Sequence, residues 1–173
     1  MTRVFVLPVV LAALASAGHA GSADEPAAGD KLAPLARFAG EWAVDGKWSD
    51  GATLHARSVY TWGLGKKILK AQTFVMDGKR EYQRYEGVLA WHPEKKSLFE
   101  ISFAFDGSLS EYLIECADKD TFRIGWAPFS PDKPGRVRQV LKFLDNDRFQ
   151  WVVQVKDGDN WKQIIDATWK RSQ

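Results

Sequence analysis

The 173-residue chain has little of what usually betrays a chemistry. Its single cysteine, Cys116, can close no internal disulfide, so it is not a disulfide-stapled scaffold and folding must rest on packing. Three histidines and one cysteine supply no His-x-His or Cys-x-x-Cys spacing, and no metal site is expected. Neither sign of charge dominates. The 24 Lys and Arg stand against 22 Asp and Glu, and a formal charge of +2 excludes the broadly basic face of a nucleic-acid binder. No apolar run reaches the roughly 18 residues of a membrane-spanning helix. Gly-x-Ser-x-Gly, a phosphate loop and a dinucleotide fingerprint are all missing, so no catalytic residue and no cofactor are assigned.

What is present is 45% hydrophobic and 13% aromatic, in a length that suits one domain. Residues 1–20 read as a signal peptide. Arg3 gives a charged start, Val4 to Ala15 is a short apolar stretch, and small residues follow, with cleavage expected after Ala20. No Cys succeeds that position, so no lipid anchor is expected, and the mature chain should be extracytoplasmic, either periplasmic or secreted. Residues 21–31 carry no bulky apolar side chain and read as a disordered leader. The domain is expected over residues 32–171.

From residue 41 onward, short alternating segments are separated by turn residues such as Asp50-Gly51, Asp77-Gly78, Asp106-Gly107 and Asp157-Gly158. This predicts ten strands near residues 41–49, 53–62, 67–76, 81–91, 98–105, 109–116, 121–127, 136–144, 149–156 and 161–170. Only Leu32 to Phe38, where Leu32, Leu35 and Phe38 could share a face, suggests a short helical turn. Tight turns between so many strands imply antiparallel, up-and-down order. Closing the sheet removes two exposed edges, so the expected fold is all-β, an antiparallel up-and-down ten-stranded barrel; a two-sheet sandwich is the runner-up.

Alternation assigns the faces, since successive side chains point to opposite sides. The expected interior includes Trp42, Val44, Gly46 and Trp48; Leu54, Ser58, Tyr60 and Trp62; Leu69, Ala71, Thr73 and Val75; and Tyr85, Gly87, Leu89 and Trp91. In the fifth strand Phe99, Ile101, Phe103 and Phe105 are expected inside, with Glu100 and Ser102 outside. Ser110, Tyr112, Ile114 and a buried Cys116 follow, then Phe122, Ile124 and Trp126, then Val137, Gln139, Leu141 and Phe143. The last two strands give Phe149, Trp151, Val153 and Val155, and Trp161, Gln163, Ile165, Ala167 and Trp169. Ten strands leave room inside unless aromatic rings fill it, and an apolar pocket with a few polar groups is the usual small-molecule site. The candidate ligand-binding residues are Tyr60, Trp62, Tyr85, Phe103, Tyr112, Trp126, Gln139, Trp151 and Gln163. His55 is expected on the outward face and His92 in a turn before Pro93.

Phe38-Ala39-Gly40-Glu41-Trp42 places a helical turn directly before Gly-x-Trp at the head of the first strand. This resembles the opening motif of the calycin group, the lipocalin-like barrels. The resemblance continues through Tyr60 to Gly65, Gly87 to Pro93 and Ala167 to Arg171, in the pattern of a bacterial lipocalin-like family without an assigned function. It implies a barrel closed at one end by Gly40 and Trp42. Gly40-Glu41-Trp42 is also similar to the haem-binding nitrobindins, but those ligate iron through a His late in the chain, and here none follows His92. The expected function is binding of a small, largely apolar molecule within the barrel. A barrel enzyme using a Tyr or His55, and a filled barrel with no ligand, are the alternatives.

Overall fold

The computed structural model describes residues 31–130 and 135–172. The expected signal peptide, nearly all of the expected leader and residues 131–134 of the long connection lie outside that range. A 3₁₀ helix, Ala33–Phe38, leads into β1 (Gly40–Lys47), β2 (Thr53–Gly63), β3 (Ile68–Asp77), β4 (Arg80–His92) and β5 (Ser97–Ala104). They are followed by β6 (Leu109–Cys116), β7 (Thr121–Ile124), β8 (Val137–Phe143), β9 (Arg148–Asp157) and β10 (Asn160–Arg171). Each strand pairs antiparallel with its sequence neighbour, and β10 returns to β1, so the sheet is a closed up-and-down barrel. The sandwich is thereby excluded.

Local chemistry explains the tight connections. Asp77 pairs with Arg80 and Asp157 with Asn160, leaving two-residue hairpins in which Gly78 and Gly158 take φ of 60° and 58°. Glycine tolerates that left-handed backbone, which suits the twist of the flanking strands.

The interior is built differently at its two ends. At one end the 3₁₀ helix crosses the barrel and buries Leu35 and Phe38. The Phe38 ring meets those of Phe122, Phe143 and Phe149 at centroid separations of 5.0, 4.9 and 5.7 Å. Trp42 is fully buried, lies 4.8 Å from Phe149 between ring centroids, and donates its indole N–H to the Phe38 carbonyl at 2.7 Å. Each such ring contributes about 1.5–3 kcal/mol by leaving water, and each well-placed aromatic pair about 0.5–1.5 kcal/mol more. Arg171 at the end of β10 ties this end together. Its guanidinium stacks 4.2 Å from the Trp42 ring and donates to the carbonyls of Ala39 (2.8 Å) and Arg37 (3.0 Å). Gly40 adopts φ of 119°, and a Cβ there would stand 2.6 Å from Arg171 Nη1, so the glycine of the Gly-x-Trp motif makes room for this arginine.

Four expectations are corrected. In β5 the faces are reversed: Leu98, Glu100, Ser102 and Ala104 point inward, while Phe103 and Phe105 are 51% and 68% exposed. The cause is register, because Glu100 lies opposite Leu89 on β4 and Tyr112 on β6, both of which face inward. In β10 a bulge between Gln163 and Ile165 resets the alternation; Ile165, Ala167 and Trp169 remain inside, whereas Gln163 is exposed and Trp161 lies outside against Arg138. The seventh strand stops at Ile124 instead of residue 127. Gly125 turns the chain with φ of 73°, where a Cβ would stand 2.6 Å from the Val137 carbonyl oxygen, and Trp126 emerges on the outside, 42% exposed. Cys116 ends β6 exposed rather than buried, its thiol held above the ordinary value by partial burial and by the Glu115 carboxylate.

Candidate functional site

Toward the other end the strands diverge from the aromatic plug and enclose a cavity of about 690 Å³. That volume falls in the range of small-molecule sites. The floor is Leu35, Phe38, Phe122, Phe149 and Trp169, and the mouth is rimmed by Trp48, Thr53, Met76, Tyr85, Asp106 and Ser108. The alternative of a barrel filled along its whole length therefore does not hold: the packed core occupies one half.

The two walls differ in chemistry. Most polar lining residues come from five consecutive strands: Ser58 and Tyr60 on β2, Thr73 on β3, Arg84 and Tyr85 on β4, Glu100 and Ser102 on β5, and Ser110 and Tyr112 on β6. Facing them, β8 to β10 present Val137, Leu141, Trp151, Val153, Val155 and Ile164, with Gln139 the polar exception. Some of the polar groups are already satisfied within the protein. The Ser58 and Thr73 hydroxyls hydrogen-bond at 2.7 Å, and Gln139 Oε1 accepts from the Trp151 indole N–H at 2.7 Å. These two pairs fix side chains and complete buried valences.

Glu100 is the group that stands apart. It is at mid-depth, enclosed by the barrel wall, with its remaining accessibility directed to the cavity. Small residues make space for it: Ala71 lies opposite Gly87 in the sheet, and a Cβ on Gly87 would stand 3.5 Å from Glu100 Oε1 and 3.0 Å from the Ile101 carbonyl oxygen. Burial disfavours the charged form and pushes the carboxyl up to about 7 from an ordinary 4.5. The nearby Tyr60 hydroxyl is raised in turn, first by its own burial and second by the Glu100 charge. Arg84 reaches the cavity near the mouth, and burial alone accounts for the Glu100 shift, so no protein cation balances this acid.

The structure brings together Tyr60, Tyr112, Gln139 and Trp151 on the cavity wall, with Tyr85 half-exposed at the mouth. Trp62 shares the inward face of β2 but packs beside the core at the plugged end rather than around the cavity. Phe103, Trp126 and Gln163 do not line it. Arg138 instead lies 4.2 Å from the Trp126 ring on the outer surface. Sequence reasoning missed Glu100 and Ser102, although hairpin register with β4 would have placed both inside. His55 is exposed and 2.6 Å from Asp45, so it offers no base to the interior. Among the described residues no group of His, Cys, Asp and Glu is arranged to hold a metal ion, and no helix is long and apolar enough to cross a membrane.

No family model matches the chain, and no curated protein matches it. Solved structures do. Rv2717c from M. tuberculosis superposes with a TM-score of 0.54 at 14% identity, covering 83% of this chain and 98% of that one. The S-type phycobiliprotein lyase CPES from Guillardia theta gives 0.48 at 12% identity, over 79% of this chain and 89% of that one. A redesigned beta barrel gives 0.44 at 14% identity, over 81% and 96%. At 14% identity the likeness to Rv2717c shows the fold alone, a closed antiparallel barrel.

Proposed function

We propose that the protein binds one small amphipathic molecule inside the barrel, and that it does so in an extracytoplasmic compartment, as the N-terminal apolar stretch suggests. The observation that carries the reading is the half-hollow interior, a cavity of about 690 Å³ with its polar atoms gathered on one wall. An apolar body against β8 to β10 leaves water, while a polar edge toward β2 to β6 keeps hydrogen-bond partners. Tyr60, Tyr112 and Glu100 are the groups available to orient it.

Titration with decanol, followed by the fluorescence of Trp48, Trp151 and Trp169, tests this directly. Saturable 1:1 binding is expected, and it should be lost in Ala104→Trp, which places an indole in the cavity, while the far-UV spectrum and melting temperature persist. Failure of the wild-type protein to bind, together with a mass free of adduct after purification from its native source, would overturn the reading.

A second reading, acid-base catalysis, is favoured by the same carboxyl. An acid that titrates near neutrality can both accept and donate a proton there. Recovery of a chemically altered ligand after incubation with the wild-type protein, but not with Glu100→Gln, would mark an enzyme; unaltered ligand in both would mark a carrier.

A further inference from the structure

Resting on the reading that the barrel binds a small amphipathic molecule, we infer that the ligand is a hydrophobic amine whose ammonium group is held by the Glu100 carboxylate between the rings of Tyr60 and Tyr112. The cavity wall carries one carboxyl deep inside and no deep cation, and burial, with no hydrogen bond beside it, is what shifts that carboxyl. The titratable or charged groups that share the cavity are Tyr60 on β2, Arg84 and Tyr85 on β4, Asp106 after β5 and Tyr112 on β6. Arg84 belongs to the mouth, where its guanidinium lies 5.7 Å from the Tyr85 ring and 5.6 Å from the Phe105 ring, and where Asp106 is the nearby acid.

Each kind of head group would fare differently. An anionic head at mid-depth would meet Glu100 as a like charge. A neutral hydroxyl gains one ordinary hydrogen bond. An ammonium gains a charge-assisted bond, a counter-ion in a low-dielectric enclosure and the electron-rich faces of two tyrosines. Gly87 matters here because its missing side chain leaves the carboxyl free to reach inward over the sheet. The apolar tail then lies along Trp151, Val153 and Val155 toward the mouth.

Decylamine, decanol and decanoate share a chain and differ in head charge, so calorimetric titration of all three reads the inference. Decylamine should bind at least about tenfold more tightly than decanol at neutral pH, and decanoate more weakly than either. Because the carboxyl must ionise to receive the ammonium, decylamine affinity should rise with pH, approaching about tenfold per unit below the Glu100 midpoint, and level off above it. Proton release should appear as a heat that varies with the ionisation enthalpy of the buffer. In Glu100→Gln, checked for folding by circular dichroism, the amine-to-alcohol ratio should fall to about one and the proton release should vanish. Equal affinity for amine and alcohol, or a preference that survives Glu100→Gln, overturns the inference while leaving the binding barrel standing. A preference for decanoate also overturns it and moves the polar contact to Arg84. Binding of none of the three overturns the inference and the proposed function together.

Discussion

Glu100 ties the stability of the barrel to one proton. In the unfolded chain its carboxyl ionises near the ordinary 4.5, and in the barrel near 7. The folded state thus holds the proton more tightly, so the stability it confers is full below the unfolded value, declines as pH rises between the two values, and levels off once the folded group has ionised. The difference amounts to about 3 kcal/mol. Urea denaturation of wild type and Glu100→Gln at about pH 5 and about pH 8 should show the wild type losing on the order of that much relative to the variant. An equal pH dependence in both would refute the buried acid. At the opposite end Gly40 answers to a steric demand instead. Gly40→Ala must adopt φ of 119° with its methyl 2.6 Å from Arg171 Nη1, and it should cost about 1–3 kcal/mol by strain and displacement of the arginine. Trp42→Phe should cost about 2–4 kcal/mol by denaturant midpoint, since in a fully buried site it leaves a void and forfeits the bond to the Phe38 carbonyl.

The strands show what a sequence can and cannot disclose about a barrel. Period-two alternation located all ten, and in β1, β8 and β9 it also assigned the faces, because the largest apolar side chains of each fall on one side. β5 carries them on both. Its more aromatic face is outside, where Phe99 is covered by His92 and by Phe129 from the loop after β7, at centroid separations of 5.4 and 6.4 Å. Hydrophobicity alone chooses the wrong side there, whereas the pairing of Trp91 with Leu98 across the β4–β5 turn fixes the right one. The same blindness hid the candidate site, since a lone Glu in a strand reads as solvated surface unless its register is known. The bulge that turns Gln163 outward left no mark in composition at all. Two substitutions test the reversed face. Phe103→Lys should cost less than about 0.5 kcal/mol, as a surface change does, and Leu98→Ala about 2–5 kcal/mol, as a core deletion does. Denaturant midpoints giving the opposite order would restore the face expected from alternation.

The barrel as a whole is a single sheet wrapped around two unlike interiors, and its stability should be distributed accordingly. In the plugged half, strand amides are backed by the rings of Phe38, Trp42, Phe143 and Phe149 and clamped by Arg171 to the carbonyls of Ala39 and Arg37. Arg37 adds a bond to Asp120 at 2.6 Å, joining the helix to the β6–β7 turn. In the hollow half the same strands have a cavity behind them and lose the dispersion contacts that a filled core would supply. Local opening draws on the regions with fewest buried contacts. Hydrogen exchange should therefore be slowest for β8 and β9 amides near Phe143 and Phe149 and faster for those near Val137 and Val155 on the same strands. A ligand that enters the cavity binds only the closed form and stabilises it by mass action, by about 2.7 kcal/mol at a hundred times its Kd. That protection should appear chiefly in the mouth half, on β2, β4, β5 and β9, because the plugged half already opens only with global unfolding. Uniform protection along each strand without ligand, or a ligand effect confined to the outer aromatic surface at Phe103 and Phe105, would contradict a barrel that binds from within.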